Sequence, residues 1–180
     1  MRVVTLCTGN AARSVMMGFM LSELSESHGI AMNIRTAGTH VIEGQAISQR
    51  TRESMEKLDE MGEHRYGLHR SHQLSEDDTK WADVILAVEA NHLSYVRTHH
   101  NAAANKTVQI RVFCENATTT EPIRDQISRL ASMTPNTDAD VADPAGKEQT
   151  DYDGCARELW ALCATFVGLV EVNTDVAEGI

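Results

Sequence analysis

A chain of 180 residues, 42% hydrophobic and 23% charged, is sized for one domain with a full core. Its 26 acids against 16 Lys and Arg leave a formal charge of −10, which argues against sequence-independent nucleic-acid binding and against docking on an anionic membrane. No apolar run reaches the ~20 residues of a membrane span, the start lacks a secretory signal, and Cys7, Cys114, Cys155 and Cys163 are too few for a disulfide scaffold, so we expect a cytoplasmic protein with reduced thiols.

In chain order, Arg2–Leu6 is rich in β-branched residues and reads as a buried strand. Cys7–Ala12 is small and polar, a loop. A helix is expected from Arg13 to His28, with Met16, Met20, Leu21 and Leu24 at helical spacing and Gly29 as its C-terminal stop. Met32–Thr36 fits a second strand, and Ser48–Met61 a helix ended by Gly62. Ser75-Glu76-Asp77-Asp78 resembles a capping box opening a short helix to Trp81. Asp83–Val88 is a third strand, Ala90–His100 a helix and Val108–Phe113 a fourth strand. Ala102–Asn105 and Thr118–Thr120 read as surface loops. Pro122 opens a helix to about Ala131, Ser132–Ala142 is a loop, and Tyr152–Val172 forms a long terminal helix with Cys155, Leu159, Leu162, Cys163, Phe166, Val167 and Val170 on one face.

This alternation predicts the α/β class: a single three-layer domain over residues 1–180, with a four-stranded parallel sheet flanked by helices. Ligands of such sheets bind outside the carboxyl ends of strands, so the first loop is the first place to look.

That loop reads Cys7-Thr8-Gly9-Asn10-Ala11-Ala12-Arg13-Ser14. A helix N-terminus presents free N–H groups and partial positive charge, and a loop of small residues can curl its amides around a tetrahedral oxyanion. Gly9 is expected to take backbone angles that other residues resist. Arg13 adds a fork matched to two phosphate oxygens. The phosphate-binding set is then Thr8, Gly9, Asn10, Ala11, Ala12 and Arg13. Cys7 sits beneath the anion, where amides, dipole and arginine favour the thiolate, and can attack phosphorus in line to form a phosphocysteine. Ser14 can donate a hydrogen bond to that sulfur, and Asn10 can brace the loop. Cys7 is the one cysteine of the four with Arg six residues downstream. A cysteine–arginine spacing is weak alone; its position between a strand and a helix makes it specific.

These residues resemble the N-terminal signature of the low-molecular-weight protein tyrosine phosphatases, whose fold and loop are shared by arsenate reductases. The resemblance continues through Thr36-Ala37-Gly38-Thr39, His69-Arg70-Ser71-His72-Gln73-Leu74 and Trp81–Leu86, and closes with Asp143-Pro144. It implies a flavodoxin-like, phosphotyrosine protein phosphatase I-like fold and a hydrolase that needs neither metal nor cofactor. It also implies that Asp143 is the general acid, giving the leaving group its proton and then activating water. From the residues alone, Asp138, Asp140, Asp151 and Asp153 compete with Asp143. Thr36 and His69 are placed by the same resemblance as supports of the loop through Asn10 and Ser14.

The resemblance implies a phosphorylated protein, above all a phosphotyrosine protein, or a small phosphate ester as substrate. Ala12 stands where some members carry a second cysteine, and Val15 where Pro is frequent. Ala145-Gly146 and His40-Val41-Ile42 lack the aromatic residues that clamp a phosphotyrosine ring, worth ~0.5–1.5 kcal/mol per ring pair. The alternative is an arsenate reductase using the same loop and an external thiol; the relay cysteines of thioredoxin-linked reductases are absent from Gly62–Asp83. A cysteine phosphoryl carrier is a third reading, against which Arg13 and Asp143 argue. Residues 135–180 hold ten acids against Lys147 and Arg157, so most of the −10 lies there and disfavours acidic phosphopeptides.

Overall fold

β1 (Arg2–Cys7), β2 (Asn33–Gly38), β3 (Val84–Ala87) and β4 (Thr107–Gln109) form one parallel sheet in the order β2-β1-β3-β4 in a computed structural model of the chain. Residues 1–178 are described, with side chains through Asn173. The register pairs Cys7 with Gly38 and Leu6 with both Ala37 and Ala87. Thus the strand ends carrying the first loop are fixed by neighbours on both sides.

Side chains of β1 alternate between two apolar layers, as strand geometry requires. Val3 and Cys7 join the layer under α1 (Arg13–Ser27) and α7 (Gln149–Glu178), together with Met16, Met20, Leu159, Phe166 and Val167. Val4 and Leu6 face the smaller layer with Ile85, Leu74, Val96 and the partly buried Trp81 and Tyr95, beside α3 (Glu76–Trp81) and α4 (Ala90–His99). The three-layer α/β arrangement expected from the alternation is the one observed. Gly18 lets α1 lie close on β2: a Cβ there would come 2.5 Å from Thr36 Cγ2.

Several boundaries differ from the expectation. Residues 110–113 are not strand: β4 ends at Gln109 and α5 (Ile110–Asn116) follows. Ile110 and Phe113 are buried one helical turn apart, and a short apolar run fits either period. The second helix, α2 (Gln49–Glu56), stops before Met61, because Met55 is its last fully buried anchor and Leu58 N–H folds back to the Met55 carbonyl. Ala102–Asn105 lies within a 3₁₀ turn, Asn101–Lys106, that buries Ala103. Pro122 caps α6 (Ile123–Ala131) from just outside it. The Ser75 capping box is present in both directions, and Gly29 takes φ +68° after α1. α7 is longer than expected at both ends. Among the described residues no helix is long and apolar enough to cross a membrane.

Candidate active site

The loop after β1 is held by Asn10. Asn10, and not Gly9, is its left-handed residue, with φ +49°; Asn tolerates that region better than most residues. A Cβ at Gly9 would touch nothing within 4 Å, so its smallness leaves space above the loop. Asn10 is fully buried and uses every side-chain function. Nδ2 donates to Ser14 Oγ at 3.0 Å and to Thr36 Oγ1 at 2.9 Å, while Oδ1 accepts from His72 N–H at 2.9 Å. Its carbonyl accepts from His69 Nε2 at 2.8 Å and Ser71 Oγ at 2.7 Å. Thr36 and His69 thus both contact Asn10, one at its side chain and one at its carbonyl. Burial lowers the His69 ring from its ordinary value, which fits a neutral ring donating Nε2–H.

Gly38 is the second steric requirement. A Cβ there would sit 2.5 Å from the Thr8 carbonyl and 2.9 Å from Asn10 N, so the loop approaches β2 only because this residue has no side chain. Thr39 and His40 N–H then donate to the Cys7 and Thr8 carbonyls, both at 2.9 Å. Asn10→Ala strands the Ser14, Thr36 and His72 partners. It is expected to cost about 3 kcal/mol and to slow turnover, read by denaturant unfolding beside a rate assay.

Cys7 is buried, and its Sγ lies 3.0 Å from Ser14 Oγ. Ser14 Oγ already accepts from Asn10, which leaves its own proton for the sulfur. Thr5 Oγ1 fixes the Ser14 carbonyl at 2.7 Å. Beneath the mouth, Arg13 is 2% exposed. Its Nη1 donates to Glu89 and to the Val141 carbonyl at 2.9 Å, and Nη2 pairs with Asp143 Oδ2 at 2.8 Å. Burial works against this cation, and Glu89 and Asp143 more than offset it.

Of the five aspartates weighed from the sequence, Asp143 reaches Arg13. Asp140 instead accepts from Ala90 N–H at the start of α4 and from Gln109 at the end of β4, and Asp153 pairs with Lys57. Asp138 and Asp151 lie on the exterior. Asp143 Oδ1 accepts from Ala145 N–H at 3.1 Å in a turn closed by Gly146 at φ +77°. With Oδ1 anchored by backbone and Oδ2 on Arg13, the half-exposed carboxylate is aimed over the loop.

Glu89 and His92 were not singled out from the sequence. Both follow β3, which neighbours β1 across the switch point, so the strand-end rule reaches them. His92 Nδ1 accepts from Glu89 N–H at 3.2 Å, and Nε2 then donates to Thr8 Oγ1 at 3.0 Å. Burial first, then Arg13 and His40, push this ring down to about 3, so it is neutral. The unfolded chain takes the proton near the ordinary 6.5, so stability is full above that pH. It then falls by about 1.4 kcal/mol per unit as the pH drops toward 3. His92→Gln is expected to flatten this acid limb in denaturant unfolding between neutral and acidic pH; identical slopes would refute the assignment.

The side walls are as bare as the sequence suggests at Ala145-Gly146, and Ile42 stands 73% exposed. An aromatic residue does back the other wall: the Tyr95 ring lies 5.5 Å from the His40 ring, centroid to centroid. The three other thiols are disfavoured as thiolates. Burial pushes Cys114 and Cys155 up to about 12 and Cys163 well above its usual value.

The profile of the family described as low molecular weight phosphotyrosine protein phosphatase matches residues 2–125. The chain belongs to that family. Among curated proteins, the protein-arginine-phosphatase of Geobacillus stearothermophilus is 27% identical over 161 residues, covering 89% of this chain and 90% of that one. Among solved structures, the low-molecular-weight protein tyrosine phosphatase of T. tengcongensis superposes with TM-score 0.75 at 26% identity, covering 93% and 98% of the two chains. A YwlE mutant from Bacillus subtilis gives TM-score 0.76 at 20% identity over 94% and 98%, a likeness of fold. The family match ends before Asp143, so the carboxylate's position rests on its geometry beside Arg13.

Proposed function

We propose that this family phosphatase removes the phosphoryl group from phosphoarginine in proteins, through a phosphocysteine on Cys7. The carrying observation is the pair of carboxylates, Glu89 and Asp143, bracketing Arg13 in a mouth whose segments Ala145-Gly146 and His40–Ile42 offer no Phe, Tyr or Trp. A guanidine leaving group becomes a cation on taking a proton, and carboxylates match its planar fork. The curated relative named as a protein-arginine-phosphatase supports the same reading.

The incoming phosphoryl oxygens compete with Asp143 for Arg13 Nη2 and draw on the loop amides. The Cys7 thiolate attacks phosphorus; the S–P bond forms as the P–N bond breaks, and protonated Asp143 gives its proton to the departing nitrogen. The resulting carboxylate takes a proton from water, whose oxygen attacks phosphorus. The S–P bond breaks, phosphate leaves, and the thiolate, held by Ser14, is restored.

A phosphotyrosine specificity is the second reading, favoured by Tyr95 behind His40 and by the tyrosine phosphatase relative. Arsenate reduction through a thiol relay gains nothing from the three other cysteines, whose burial disfavours thiolates. Peptides of one sequence carrying phosphoarginine or phosphotyrosine decide between the specificities. We expect kcat/KM at least about tenfold higher for phosphoarginine, the worth of one well-placed ionic contact. A preference for phosphotyrosine would reverse the proposal, and faster thiol-dependent arsenate reduction would replace it.

A further inference from the structure

At the end of the sheet opposite Cys7, a cavity of about 650 Å³ opens between the start of β1, the turn from α3 to β3, the residues before β4 and the first turn of α6. That volume suits a metabolite-sized ligand. Its lining carries Arg2, Lys80, Lys106 and Arg124 against Asp83 and Asp125. A chain with a formal charge of −10 thus gathers a net positive patch in a concave site.

Part of that charge is answered within the chain. Arg2 pairs with Asp83 at 2.8 Å. Lys80 reaches Glu76 only at 3.9 Å, across one turn of α3. Lys106 gives one hydrogen bond, to the Ala82 carbonyl at 2.7 Å, which leaves two of its three donors. Burial is the main influence on that ammonium and draws it below the ordinary lysine range. The Arg124 guanidinium has no partner among the described residues. Ala82, Ile123 and Ile127 supply an apolar floor, beside which charges act more strongly than in open water.

We propose that this cavity binds a small metabolite bearing two or more phosphate groups, with Lys80, Lys106 and Arg124 contacting the anionic oxygens. Several cations spread around one cavity match several separated anions better than one. The six residues of β1, at ~3.3 Å each, place the cavity about 20 Å from the catalytic loop. The proposal is therefore independent of the substrate assigned above.

The test uses the chain with Cys7→Ala, which has no side-chain nucleophile at the catalytic loop and so keeps the probe intact. Fructose 1,6-bisphosphate is the probe and fructose the control, followed by amide chemical shifts. Saturable shifts are expected over residues 80–83, 105–107 and 123–128, with none from fructose. Adding Lys80→Glu and Arg124→Glu should weaken binding by at least about tenfold. With Cys7 restored, these two exposed substitutions should leave phosphatase turnover unchanged, which reports an intact fold. Shifts confined to residues 8–14, undiminished binding by the double variant, or no saturable shift would overturn the proposal.

Discussion

Cys7→Ala is expected to leave the chain folded and to lower turnover by about 10⁴-fold or more, since it removes the nucleophile and not merely one of its supports. Sγ lies in the site's interior, 3.0 Å from Ser14 Oγ, at the end of a strand bonded on both sides. Replacing a thiol by hydrogen there deletes one small buried atom, at a stability cost of about 1 kcal/mol. The loop remains braced by Asn10, whose partners are Ser14, Thr36, His69, Ser71 and His72. Phosphate should therefore still bind. An inactive variant that retains phosphate affinity and unfolds only slightly earlier, as a loss of about 1 kcal/mol requires, is the expected result. Turnover within tenfold of the parent would remove Cys7 from the mechanism.

Asp143→Asn is expected to lower kcat by about 10²- to 10⁴-fold for poor leaving groups and far less for good ones. The substitution keeps the shape of the side chain and the acceptor that faces Ala145 N–H, and it removes the proton donor. A nitrophenol can depart as the anion, whereas an alkyl alcohol or a guanidine needs its proton at the moment of bond breaking. The loss should therefore steepen with the basicity of the leaving group. An equal loss across the series would assign Asp143 to holding Arg13, through the 2.8 Å ion pair, and would move the acid role elsewhere.

The fold was legible where one residue pattern admits one period. β1 is a short run rich in β-branched residues and β3 a continuous apolar run of strand length, and α1 and α7 carry apolar residues at helical spacing over several turns. Residues 110–113 fit both periods, and their fate was decided by packing of Ile110 and Phe113 into the layer shared with α7. The loop from Cys7 to Ser14 was legible because its chemistry lies in consecutive residues. Its support is spread across the chain: Gly38 from β2, His69 to His72 from an irregular segment, Glu89 and His92 from the end of β3. Such residues carry no local signal beyond their place after a strand. The expectation for Gly9 failed for a related reason. A glycine and an asparagine stand side by side, both tolerate left-handed angles, and the hydrogen bonds of the Asn10 side chain select Asn10.

The concentration of acids near the C-terminal segment also acquires a local meaning. Asp143 faces the buried Arg13 cation, and Asp140 and Asp153 are engaged with α4 and Lys57. What reaches the mouth is a small set of placed carboxylates rather than a diffuse field, the feature on which the proposed phosphoarginine specificity rests.

The most direct measurement is rapid quench of Asp143→Asn with a phosphoarginine peptide, followed by mass mapping of the protein. Loss of the acid and base slows both formation and breakdown of the intermediate, and breakdown, which needs water activation, sets how much accumulates. A phosphoryl adduct is expected on the peptide containing Cys7, absent from the Cys7→Ala chain. Continued release of phosphate with no adduct on Cys7, or with the adduct on another residue, would contradict this.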